Sequence, residues 1–136
     1  MLDEATLGRH LEALGWSAEP HGPETFRCDH DTDEGPVTVY IRLSDGWMIA
    51  SVVPFLATEG QNSFELSRWL LRQNRDMVQN KFAYDEDGDV VLTVEMPTES
   101  LDFTEVESAL TGLVRDAKRH RRTLRVAAEA GVRSSG

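Results

Sequence analysis

At 136 residues, 40% hydrophobic and 28% charged, the chain suits one folded domain with a single core and lies outside the composition of disordered segments. Its formal net charge of −10 disfavours general nucleic-acid binding or adhesion to an anionic membrane, and a lone cysteine, Cys28, excludes an intrachain disulfide. No apolar run approaches the roughly 20 residues of a membrane span, and the acidic Met-Leu-Asp-Glu start lacks the features of a signal peptide, so the expected location is the cytoplasm.

The first predicted helix begins at Asp3, a good N-cap, with Leu2 and Leu7 at the spacing of a hydrophobic staple. Leu7, Leu11 and Leu14 share one face, and Gly15 is the expected terminator. Ser17 to Glu24, with Pro20, Gly22 and Pro23, reads as a loop. A short strand around Phe26 and Cys28 follows, then an acidic turn over Asp29 to Gly35.

From Val37 the alternation is cleaner: Val37, Val39, Ile41 and Leu43 point one way, Thr38, Tyr40 and Arg42 the other. Ser44-Asp45-Gly46 supplies a tight hairpin turn, and the return strand Trp47 to Val53 is expected to end at Pro54. A second helix is predicted from Ser63 to Met77, with Asn62 and Glu65 resembling a capping box and Leu66, Leu70 and Met77 on one stripe. Lys81 to Asp85 and Val90 to Met96 form a second hairpin about Asp87-Gly88, closed by Pro97.

The last helix starts at Asp102, where Glu105 completes a capping box and Leu101 staples to Val106; Val106, Leu110, Leu113, Val114 and Ala117 form its apolar stripe. The order α-β-β-β-α-β-β-α predicts an α+β domain over residues 1–128, a mainly antiparallel five-stranded sheet with its helices mainly on one face. Residues 129–136 are expected to form a frayed tail.

The stretch Trp69-Leu70-Leu71-Arg72-Gln73-Asn74, the run Lys81-Phe82-Ala83-Tyr84-Asp85-Glu86-Asp87-Gly88-Asp89-Val90-Val91-Leu92 and the closing Pro97 resemble the YbjN-like family, described as bacterial sensory transduction regulators. The element order is similar to the type III secretion chaperone-like fold. The resemblance implies a homodimer without catalytic activity and, by fold analogy, extended client segments wrapped around apolar patches.

Recognisable chemistry is sparse. Asp85 to Asp89 opens like a calcium loop, but Val90 stands where the loop needs Gly and Met96 where it needs a bidentate Glu. Asp29, Asp31 and Asp33 fail in the same way, with Tyr40 in the last ligand position. Cys28 and His30 are two ligands and no more, and no nucleophile sits in a catalytic motif, so no metal, cofactor or enzyme activity is expected.

Tryptophans default to the core, yet the adjacent Phe55 and Leu56 fall in an expected loop and are hard to bury together. An apolar surface drawn from Phe55, Leu56, Trp69 and Met77 is the expected contact for a protein client or regulatory partner. Charge offers an alternative. Residues 1–107 hold 7 basic and 22 acidic side chains, whereas residues 108–136 hold 7 basic and 2 acidic. Arg115, Lys118, Arg119, Arg122 and Arg125 could grip an anion or nucleic acid, although no interleaved aromatics offer base stacking. The plainer explanation is a basic helix end complementing its own dipole and an acidic body.

Overall fold

The structure, a computed structural model, describes residues 1–33, 35–58 and 63–135; for residues 122 and 124–135 it describes the helical backbone. Its elements are α1 (Glu4–Ala13), β1 (Glu19–Pro20), β2 (Thr25–His30), β3 (Val37–Ser44), β4 (Trp47–Leu56), α2 (Phe64–Asp76), β5 (Lys81–Tyr84), β6 (Val90–Pro97) and α3 (Phe103–Ser135). The strands form one antiparallel sheet in the order β1-β2-β3-β4-β6-β5. The sixth strand is β1, two residues of the expected loop. Glu19 and Pro20 pair with Arg27 and Phe26 at the sheet edge, where a proline costs no ladder bond.

Local chemistry fixes the helix ends. Asp3 Oδ1 accepts the Thr6 amide at 2.8 Å, and Leu2 and Leu7 are both buried, as a staple requires. Gly15 ends the first helix at φ +78, a conformation that disfavours side chains with a Cβ. The second helix is capped by Ser63, whose Oγ accepts the Leu66 amide at 3.0 Å; Asn62, the expected cap, lies outside the described residues. At the third, Asp102 Oδ1 accepts the Glu105 amide at 2.9 Å and Glu105 Oε1 accepts the Asp102 amide at 3.4 Å, a reciprocal capping box. This last helix continues to Ser135, through the residues expected to fray.

Register places one residue of each strand on a common face. Phe26, Ile41, Ala50 and Val94 lie opposite one another across β2, β3, β4 and β6. Their neighbours Val39, Leu43, Met48, Val52, Leu92 and Val90 line the same side and are buried. Leu7 and Leu11, Leu66 and Leu70, and Val106, Leu110 and Leu113 close this core from three helices. The helices therefore pack on one face. The opposite face carries Tyr40, Arg42, Trp47, Ile49, Ser51, Val91 and Thr93, none of them buried.

The fourth strand departs from its expected end. It runs through Pro54, which follows a cis peptide bond, to Leu56, and its register with β6 shifts between Val52 and Leu56. Between these pairs β4 holds two more residues than β6, and the buried alternation passes from Val52 to Phe55, so Phe55 turns into the core rather than out. It lies 5.3 Å from Phe82, ring centre to ring centre.

Candidate protein-binding surfaces

The second helix buries Leu66 and Leu70 and leaves apolar residues of the opposite flank exposed. There Phe64 is 77% and Leu71 70% exposed, and Val78 just beyond the helix is 83% exposed. Phe64 and Leu71 are seven residues apart, close to two full turns, so they stand above one another on one side. Arg68, Arg72 and Arg75 accompany them, with Glu65 at the N-terminal end. Tyr84 on the edge strand β5 adjoins this flank, its hydroxyl 2.7 Å from Ser67 Oγ. The strand's other edge carries no described strand.

The second surface is the helix-free side of the sheet. Trp47 is 45% exposed at its end, and Ile49, Val53 and Val91 are half-buried. A hollow of about 390 Å³ opens here among His21, Thr25, Tyr40, Arg42, Ile49 and Ser51. Its floor is ordered: Ser51 Oγ donates to Thr93 Oγ1 at 2.9 Å, and the His21 and Tyr40 rings lie 5.2 Å apart. Arg27 sits 6.0 Å from the Tyr40 ring, so the polar rim stacks on the aromatic rather than leaving the surface.

Among the four residues expected to form an exposed apolar patch, Phe55 is only 2% exposed and belongs to the core, because the strand irregularity turns it inward. Leu56, Trp69 and Met77 are half-buried and pack on that core. Trp69 lies 6.0 Å from both Phe82 and His120, which closes the corner between the second and third helices. Burial holds the His120 pKa below its usual value, with Asp116 opposing and Arg119 reinforcing the shift. The large apolar residues exposed among the described ones are instead Met1, Trp47, Phe64, Leu71, Val78 and Tyr84, of which Trp47 is expected from sequence in the core and Phe64 within the second helix. The signal for Leu71 was its neighbour Leu70: two adjacent leucines on a helix cannot both face the core.

The basic residues divide. Arg115, Lys118 and Arg119 line one hollow with Trp16 and His30, whereas the side chains of Arg122 and Arg125 lie outside the described residues. Asp85 Oδ1 accepts the amides of Asp87 and Asp89 at 2.9 and 3.0 Å, so its carboxylate organises the hairpin turn. Among the described residues no group of three or more His, Cys, Asp or Glu could hold a metal ion, and no helix is long and apolar enough to cross a membrane.

Known proteins share this architecture. A chain of the heterodimeric ExoU–SpcU complex from the type III secretion system of Pseudomonas aeruginosa superimposes with a TM-score of 0.60 at 19% identity, covering 91% of this chain and 97% of its own. The structure of the Yersinia pestis type III secretion chaperone SycH with a stable fragment of YscM2 gives 0.56 at 19% identity, over 84% and 95%. YbjN, described as a transcription regulator from E. coli, gives 0.58 at 15% identity, over 95% and 92%. No curated protein matches the sequence significantly. At these identities the structural likenesses establish the fold alone. The sequence profile of the CesT_Tir_1 family, however, matches residues 9–129, nearly the whole chain. The chain belongs to this family, that of the type III secretion chaperones.

Proposed function

We propose that the protein is a non-enzymatic, homodimeric, chaperone-like module that binds an apolar or amphipathic segment of a client protein. The observation that carries this reading is the uncovered side of the sheet, where Trp47, Ile49, Val53 and Val91 remain accessible on the paired strands β4 and β6. A polar rim around apolar residues suits a segment that presents alternate side chains, as an extended chain does. The family's chaperone character and the partner-bound complexes among its structural neighbours support a protein ligand.

The second copy has a separate place. Two α2 helices packed antiparallel about a two-fold axis would bury Phe64 and Leu71 against their counterparts. That arrangement sets Glu65 of each copy towards the Arg72 and Arg75 end of the other, so charge and apolar matching agree.

The test is capture of the tagged protein from its native host after nuclease treatment, at physiological salt. A stoichiometric protein partner that is retained by the wild type and by Leu71→Glu, but lost with Trp47→Glu/Ile49→Glu, supports the reading. Absence of any protein partner, or a partner indifferent to the sheet substitutions, contradicts it.

A further inference from the structure

The cationic hollow stands on the opposite side of the sheet from the proposed client face. The turn at Gly15 brings Trp16 across the end of β2: the Gly15 amide donates to Glu12 O and the Trp16 amide to Leu11 O, both at 3.0 Å. The indole meets the His30 imidazole nearly edge-on, ring centres 4.2 Å apart. Val114 supplies a further apolar wall. Above it stand Arg115, Lys118 and Arg119, whose i, i+3, i+4 spacing puts three cations on one face of the helix. The hollow is open to solvent and has a volume of about 570 Å³, within the range of small-ligand pockets.

Two internal explanations for these cations fall short. The helix extends to Ser135, so Lys118 and Arg119 lie roughly four turns before its C-terminus, whereas dipole stabilisation fades within the last turn. Nor does the acidic body take them up. Arg115 Nε pairs with Asp116 Oδ1 of its own helix at 3.6 Å, while Asp116 Oδ2 accepts a 2.6 Å bond from Asn80 Nδ2. Lys118 and Arg119 form no ion pair among the described residues. Asp31 and Asp33 share a smaller neighbouring hollow with Lys118, which makes the Arg115–Arg119 side the more cationic one. His30 Nε2, moreover, is buried without a hydrogen-bond partner among the described residues, a costly state that a bound polar group can relieve.

We infer that this hollow is a recognition subsite for an acidic peptide segment, an Asp or Glu side chain held by Arg115, Lys118 and Arg119 with an adjoining apolar residue against Trp16 and Val114. The proposal deepens the protein-binding reading and rests on it. An apolar floor beneath a cationic rim suits an amphipathic segment better than a bare anion. A nucleic-acid strand would bring a run of phosphates against a body of net charge −10, where repulsion grows with each one; a peptide with one or two carboxylates avoids most of that cost.

The purified full chain is titrated against a rhodamine-labelled peptide of Asp, Glu, Leu and Ser, followed by fluorescence anisotropy. The control peptide carries Asn and Gln for the acids. The acidic peptide is expected to bind at least about tenfold more tightly than the amide control, and Lys118→Glu/Arg119→Glu to abolish that preference. Both positions are exposed, so folding is not at stake. Arg9→Glu/Lys81→Glu makes the same change in net charge at exposed positions away from the hollow and from the helix-free side of the sheet, and is expected to shift affinity no more than about twofold.

Equal binding of the two peptides overturns the proposal. So does an equal loss in both double variants, which would make the effect one of overall charge. Tighter binding of a labelled single-stranded oligonucleotide at the same residues, or full displacement by inorganic phosphate alone, would assign the hollow to another anion and also overturn it. Loss of the client from Trp47→Glu/Ile49→Glu but not from Lys118→Glu/Arg119→Glu leaves the client-binding reading standing and sinks the subsite. Acidic-peptide selectivity without any captured client does the reverse.

Discussion

The two sides of the sheet are built from the same strands and differ in everything else. On one side Val39, Ile41, Ala50, Val52 and Leu92 are sealed beneath three helices. On the other, residues one position along remain accessible: Tyr40, Arg42, Ile49, Ser51 and Val91. A β-strand alternates its side chains, so a single helical layer can cover only half of them. The covered half stabilises the domain. The uncovered half is free to be selected for contact, and half-buried apolar residues such as Ile49 and Val53 are what an antiparallel sheet need not carry on a purely solvated face.

Replacing a covered side chain should break the molecule, whereas replacing an uncovered one should not. Phe55→Ala is expected to cost about 3–5 kcal/mol through lost burial and the cavity left beside Phe82. Ile49→Ala on the open side should cost less than half as much. Paired denaturant titrations at equal protein concentration decide this, and similar losses at the two positions would erase the distinction between the faces.

The second expected effect concerns α2. Leu71→Glu with Val78→Glu should convert a dimer to a monomer at micromolar concentration, seen by sedimentation, while leaving monomer stability within about 0.5 kcal/mol. A wild-type chain that sediments as a monomer would remove the role assigned to this flank. A smaller change is expected at the cap of the same helix: Ser63→Ala should lower stability by about 1 kcal/mol through the lost bond to the Leu66 amide.

How much of this was legible in the sequence follows from the same alternation. Val37 to Leu43 and Val90 to Met96 each show period two, and both strands form over those residues. The caps at Asp3 and Asp102 announce themselves because their side chains satisfy amides three residues on. Phe55 was misplaced because a proline was read as a strand end, and nothing in the local composition marks the irregularity that carries the strand past it. The edge strand Glu19–Pro20 is two residues long and owes its existence to pairing with β2, a long-range condition that no local pattern encodes. Of the site, Arg115, Lys118 and Arg119 were visible as members of a basic run that extends to Arg125. That Trp16 and His30 meet it depends on a turn and a strand end distant in sequence.

The subtlest difference between regions is in their response to acid. Burial holds His30 below its ordinary pKa near 6.5, with Lys118 reinforcing and Asp29 opposing, and burial likewise depresses His120. The unfolded chain therefore takes up protons at higher pH than the folded one, and stability should decline as pH falls below about 6.5 until the depressed folded values are passed. His120→Leu should flatten that decline in a series of denaturant midpoints. Asp3 and Asp29 behave separately: hydrogen bonds from Thr6 and Thr38 hold their carboxyls low, so their contribution is lost only below the ordinary carboxylate range.

The central claim, that the helix-free side of the sheet takes a protein segment, is tested most directly by the host capture experiment with side-specific variants. The account predicts one stoichiometric protein partner, present with the wild type and with Leu71→Glu, and lost with Trp47→Glu/Ile49→Glu in a protein that still unfolds in one cooperative denaturant transition. A partner that remains bound to the sheet variant, or no partner with any of them, would contradict it.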